Sequence, residues 1–201
     1  MKFKPKHLHI AMSLALCFAI LMSLAGFDAH CESVRGSVLR LHILANSDSD
    51  FDRSVKLSVR DRVLESCSDL FDGARDLSEA EQRARESLPR LEKVAKAELE
   101  RLGCDLPVTV EVGEDDFDTR TYGDVTLPAG RYTAVRVLIG AAEGHNWWCV
   151  CYPNICLAAA GQKQEISSVL DEENTRIVTS GGYKVRFKIV ELYEAFAEKF
   201  R

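Results

Sequence analysis

Positive charge is scarce in this sequence, and scarcer still once its start is set apart. The 201 residues hold 26 Lys and Arg against 31 Asp and Glu, and three of those bases are Lys2, Lys4 and Lys6. From residue 26 onward 23 bases face 31 acids, with the signs interleaved. A body this acidic repels a phosphate backbone, which excludes nucleic-acid binding. No Gly-x-Ser-x-Gly elbow occurs, so serine-hydrolase chemistry has no support, and no glycine-rich phosphate loop occurs either. Internal repeats and low-complexity runs are also missing. Asp48, Asp50 and Asp52 open like a calcium loop. However, Arg53 stands where the loop needs glycine and Val59 where it needs a bidentate glutamate, so the stretch reads as a helix cap.

One long apolar run is present, from Ile10 to Leu24, behind the basic lead Met1 to Lys6. A short basic segment followed by about fifteen apolar residues is the pattern of a secretory signal. Small residues at Ser23 and Ala25 predict cleavage after Ala25. Residues 1–25 are therefore a signal peptide or, if the run extends over residues 10–27, a membrane anchor. Residues 26–201 then form one exported domain with enough chain for a sizeable core.

Six cysteines fall in that domain: Cys31, Cys67, Cys104, Cys149, Cys151 and Cys156. An even number in an exported chain favours disulfides, although sequence leaves most pairings open. The short loop that contains Pro153 predicts a Cys149–Cys156 bridge, worth about 2–2.5 kcal/mol through loop entropy. His145, Cys149, Cys151 and Cys156 include four zinc-ligand types. They are crowded into one loop, where zinc sites usually join two separated pairs. No metal or cofactor is expected. A rival reading is an exported thiol- or zinc-dependent hydrolase in which Cys149 or Cys151 works with His145 as base. Trp147 and Trp148 are adjacent in a β-rich run and so point to opposite faces, which makes one of them a candidate for partner contact.

The order of elements implies an α+β domain, a mostly antiparallel sheet packed against two or three helices. Leu39, Leu41 and Ile43 alternate with Arg40 and His42, the pattern of a half-buried strand. Val55, Val59, Val63, Cys67 and Leu70 make one helical stripe over 53–70, with Gly73 as its stop. A second stripe runs from Leu77 through Ala80, Ala84, Leu88, Leu91, Ala95 and Leu99 to Leu102. Ser78 and Glu81 form its capping box, and Pro89 is a kink that keeps the stripe in phase. Residues 107–112, 117–122 and 131–139 read as an antiparallel meander punctuated by Gly123, Pro128 and Gly130. A short helix is expected around 166–170 and a mainly helical element over 183–200.

Four blocks together resemble the stage II sporulation protein R family: Leu39 to Asp50 (LRLHILANSDSD), Lys56 to Leu64 (KLSVRDRVL), Tyr122-Gly123 with Leu127 to Tyr132 (LPAGRY), and Gly144 to Cys149 (GHNWWC) continuing to Cys156. They depart from the family pattern at Cys151 and Asn154. The resemblance implies a signal and not an enzyme. It implies secretion from the forespore into the intermembrane space, where the partner is a membrane-embedded aspartic protease that matures the sigma factor E precursor. The contact surface is expected at Asn146, Trp147 and Trp148, with the turn Asn46, Ser47 and Asp48 as a second patch.

Overall fold

The computed structural model describes residues 5–67, 69–153 and 166–180. The chain divides into two compact units, residues 1–33 and 34–201. The first holds all but the last two residues of α1 (Pro5–Arg35), which exposes Met12, Leu14, Leu16, Phe18 and Met22. Among the described residues no helix is long and apolar enough to cross a membrane.

The second unit is α+β. Its elements are β1 (Leu39–Leu44), α2 (Asp50–Ser66), α3 (Leu77–Arg101), β2 (Val108–Phe117), β3 (Arg120–Tyr122), β4 (Val125–Leu127), β5 (Gly130–Ile139), β6 (Asn146–Tyr152) and α4 (Glu172–Thr179). The main sheet has the order β2-β5-β1-β6 and is mixed. Its central ladder, β1 with β5, is parallel, while β2–β5 and β1–β6 are antiparallel. The expected meander is therefore corrected. Residues 120–127 leave the sheet as a β3–β4 hairpin turning at Gly123, whose φ of 59° suits glycine, and β5 returns between β2 and β1. Alternation reveals which face a residue occupies but not which strands are neighbours, and so it could not reveal the parallel pair.

Both long helices form as their stripes require. Val55, Val59 and Val63 of α2 and Ala80, Ala84, Leu91, Ala95 and Leu99 of α3 are buried together with Leu41, Ile43, Val135, Val137, Cys149 and Cys151 of the sheet. α2 ends at Ser66 with Cys67 as its cap, earlier than Gly73. The cap of α3 lies two residues before the expected one. Asp76 is its cap and accepts from the Glu79 backbone N–H, while Glu79 reaches back to the Arg75 N–H at 3.0 Å. Pro89 lies inside α3 on its exposed side, where the missing backbone hydrogen bond faces solvent.

The other face of the sheet is not solvated, as alternation had implied, but carries a second core. Val34, Val38, Phe117, Leu127, Tyr132, Ala134 and Val150 pack there with Ile166, Leu170 and Val178. Residues 166–168 form a short 3-10 turn, and α4 follows it, capped by Asp171. The element expected over 183–200 lies outside the described residues. Leu91 is fully buried at the centre of the α3 stripe. Leu91→Ala should cost about 2–5 kcal/mol in urea unfolding through the cavity it leaves, with an unchanged slope.

Candidate functional site

β1 ends where β6 begins, since Leu44 pairs with Asn146. The turn that follows β1 and the loop that precedes β6 are therefore neighbours, and the two sequence patches form one surface. Gly144 N–H donates to the Ala45 carbonyl at 2.9 Å, and Glu143 N–H donates to that of Asn46 at 3.3 Å. Asn46 joins both loops: its Oδ1 accepts from the Ala141 N–H at 3.0 Å and its Nδ2 donates to Asp52 at 2.9 Å. Such proximity needs glycine. A Cβ on Gly140, whose φ is 60°, would lie 2.2 Å from Asn46 Oδ1, and one on Gly144 would lie 2.3 Å from the Ser47 carbonyl oxygen.

The cap reading of the Asp48 stretch holds, with Ser49 as the capping residue that accepts from the Asp52 N–H. Asp52 then collects the donors of the turn, Ser47 Oγ at 2.5 Å and Asn46 Nδ2. Those bonds, the one from Ser47 first, hold its carboxyl below the ordinary aspartate range. Asp48 accepts from the side chain and backbone N–H of His145, and the side-chain bond is the main cause of its own lowered pKa. Beneath the loop, buried Lys56 donates from α2 to the His145 carbonyl. Burial makes the Lys56 ammonium easier to deprotonate than an ordinary lysine.

Asn146 is exposed, whereas both tryptophans are half-buried on opposite faces. Trp147 packs on the main core under Arg60, whose Cζ lies 5.2 Å from the ring centre. Trp148 packs on the second core, with Phe117 at 5.7 Å, His42 at 5.8 Å and the Arg120 guanidinium at 4.5 Å.

Sequence reasoning missed the side chains that fix Asn146 from below. His42 Nε2 meets Asn146 Oδ1 at 2.9 Å, and Nδ1 meets Asp115 at 2.6 Å. A carboxylate can only accept, so Nδ1 donates. Asp115 also pairs with Arg136 Nε at 3.2 Å, and Arg136 reaches Glu111 at 2.9 Å. The polar chain crosses the sheet from β6 to β2. Its one early signal was His42, which alternation had assigned to solvent but which is buried.

Cys149 is disulfide-bonded and its expected partner, Cys156, lies outside the described residues. Cys67, Cys104 and Cys151 are buried free thiols. Among the described residues no three His, Cys, Asp or Glu side chains converge as metal ligands. A groove of about 320 Å³ between α2 and α3, lined by Arg62, Glu65, Ser66, Val94, Ala97, Glu98 and Arg101, shares no residue with this surface.

A family model described as stage II sporulation protein R matches residues 35–162. The stage II sporulation protein R of Bacillus subtilis (strain 168) is 32% identical over 161 residues, which span 80% of this chain and 69% of that protein. This chain belongs to the stage II sporulation protein R family. No solved structure matches it. The family match covers every residue of the joined surface described above, from Asn46 to Trp148.

Gly144→Ala should cost about 1–3 kcal/mol in urea unfolding, because its methyl meets the rigid Ser47 carbonyl. The lowered pKa of Asp52 also fixes a pH dependence. Its contribution is complete above the unfolded aspartate pKa of about 4 and is lost as pH falls through the lower folded value. The thermal midpoint should therefore fall below about pH 4, and less steeply in Asp52→Asn.

Proposed function

We propose that this protein is an exported signal of endospore formation that switches on a membrane-embedded aspartic protease across the intermembrane space, so that the protease matures the sigma factor E precursor. Family membership is the observation that carries the reading. Export is supported by the basic lead and apolar run, which place exposed apolar side chains along α1.

The joined surface of Asn46, Ser47 and Asp48 with Asn146, Trp147 and Trp148 is the proposed contact. Each tryptophan has one side fixed by packing and an arginine stacked beside it, so little rotamer freedom remains to be lost on binding. Anchors of this kind tend to dominate an interface. The hydrolase alternative has less support. Cys149 is consumed in a disulfide, Cys151 is buried, and His145 is held by Asp48 with its carbonyl bound by Lys56.

The test uses the exposed rim together with the anchors. Asn146→Lys and Asp48→Lys leave both cores intact and should abolish or strongly reduce maturation of the sigma factor E precursor while forespore gene expression continues. Trp147→Ala and Trp148→Ala, if folded and secreted, should weaken protease binding by about 2 kcal/mol, roughly thirtyfold. His145→Ala should leave signalling intact. Full maturation with the two lysine variants would remove this surface from the reading. For the bridge, peptide mapping of the unreduced protein should recover Cys149 linked to Cys156, and two free thiols there would refute the pairing.

A further inference from the structure

A second pair of sulfurs lies behind the proposed contact surface. Cys67 caps the C-terminus of α2, Cys151 lies on β6, and both are about 1% exposed in the core between helices and sheet. Both belong to one cluster of buried side chains, and the Cys67 sulfur is the neighbouring group that acts on Cys151. The chain around each is held in place independently. The Phe71 and Tyr152 rings pack with centroids 6.3 Å apart, and Tyr152 OH donates to the Ala74 carbonyl at 3.2 Å, so the segment after Cys67 is fixed over the end of β6. Cys149, two residues before Cys151 and on the same face, is already disulfide-bonded.

We propose that Cys67 and Cys151 are a second disulfide site, closed when the chain meets a disulfide oxidant. One thiolate attacks the oxidant's disulfide, forming a mixed disulfide and releasing one oxidant thiolate. The other cysteine, as thiolate, then displaces the second. The net change is one new S–S bond, two S–H bonds broken, and the oxidant reduced to two thiols that take up the two protons. The neighbouring Cys67 sulfur, and burial after it, hold the Cys151 thiol well above the ordinary range, so the folded pair supplies little thiolate and closure is fastest while the chain is folding. The bond would join the end of the helix layer to the strand that carries Asn146, Trp147 and Trp148, far away in sequence.

The experiment uses the full chain, refolded with oxidised and reduced glutathione, so it is independent of cellular location. Acid quenching, alkylation and peptide mapping should recover a Cys67–Cys151 cross-link that disappears on reduction. Reductant should then lower the thermal midpoint of the wild type more than that of a Cys67→Ala, Cys151→Ala double variant, which retains the Cys149 bridge. Recovery of both cysteines alkylated, or of Cys151 linked to Cys149 or Cys156, would overturn the proposal. If the double variant does not fold, the cross-link map of the wild type decides alone.

Discussion

The rest of the structure depends on the burial of one guanidinium. Arg40 is the second residue of β1 and has no exposure, and among the described residues no ion pair to a carboxylate is formed by it. Its Cζ lies 4.0 Å from the centre of Phe117, 4.9 Å from Tyr132 and 5.6 Å from Tyr122. Nη2 donates to the Tyr122 hydroxyl at 2.5 Å and Nε to the Cys149 carbonyl at 3.5 Å. Desolvating such a charge costs several kcal/mol. A desolvated cation–π contact returns about 2 kcal/mol and a hydrogen bond to a charged donor about 1.5–3, so rings and oxygens together can offset the cost only if all are in place. Burial raises the Tyr122 pKa, which keeps its oxygen a phenol that accepts from Arg40.

That requirement explains the topology. The three rings come from the end of β2, from β3 and from β5, so the β3–β4 hairpin must fold back over the sheet to complete the enclosure. The LPAGRY block serves the same end. Tyr132 OH donates to the Pro128 carbonyl at 2.6 Å and Arg35 to that of Ala129 at 2.9 Å. Gly130 has a φ of 131° and leaves no room for a Cβ beside Arg35. Phe117 also packs on Trp148, so the enclosure of Arg40 sets the position of a tryptophan in the proposed contact surface.

The helix layer was legible in the sequence because a stripe such as Val55, Val59 and Val63 encodes both an element and its buried face. The second core was not. Arg40 and His42 are polar at alternate positions, and period-two patterning assigns such residues to water. Their burial depends on partners far along the chain, Asp115, Phe117, Tyr122 and Tyr132, which no local window contains. The candidate surface was half legible for the same reason. Its two patches were visible as blocks, but their union depends on the antiparallel pairing of β1 with β6 and on Gly140 and Gly144, whose close contacts are tertiary.

The distribution of polar groups around that surface bears on how it works. A catalytic acid or base needs a proton position left open toward a substrate. Here His42 is engaged through both ring nitrogens between Asp115 and Asn146, Lys56 on a backbone carbonyl and Asp52 with two donors, while His145 bonds Asp48 through Nδ1 and is itself exposed. Their hydrogen bonds hold two loops and one strand in a single arrangement. Fixing a shape before a partner arrives lowers the entropy lost on association, which is what a recognition surface gains from such bonds. The exposed Asn146 side chain is fixed from below by His42, and it lies beside two aromatics that have little freedom left to lose. This is an arrangement suited to being recognised, as the proposed function requires.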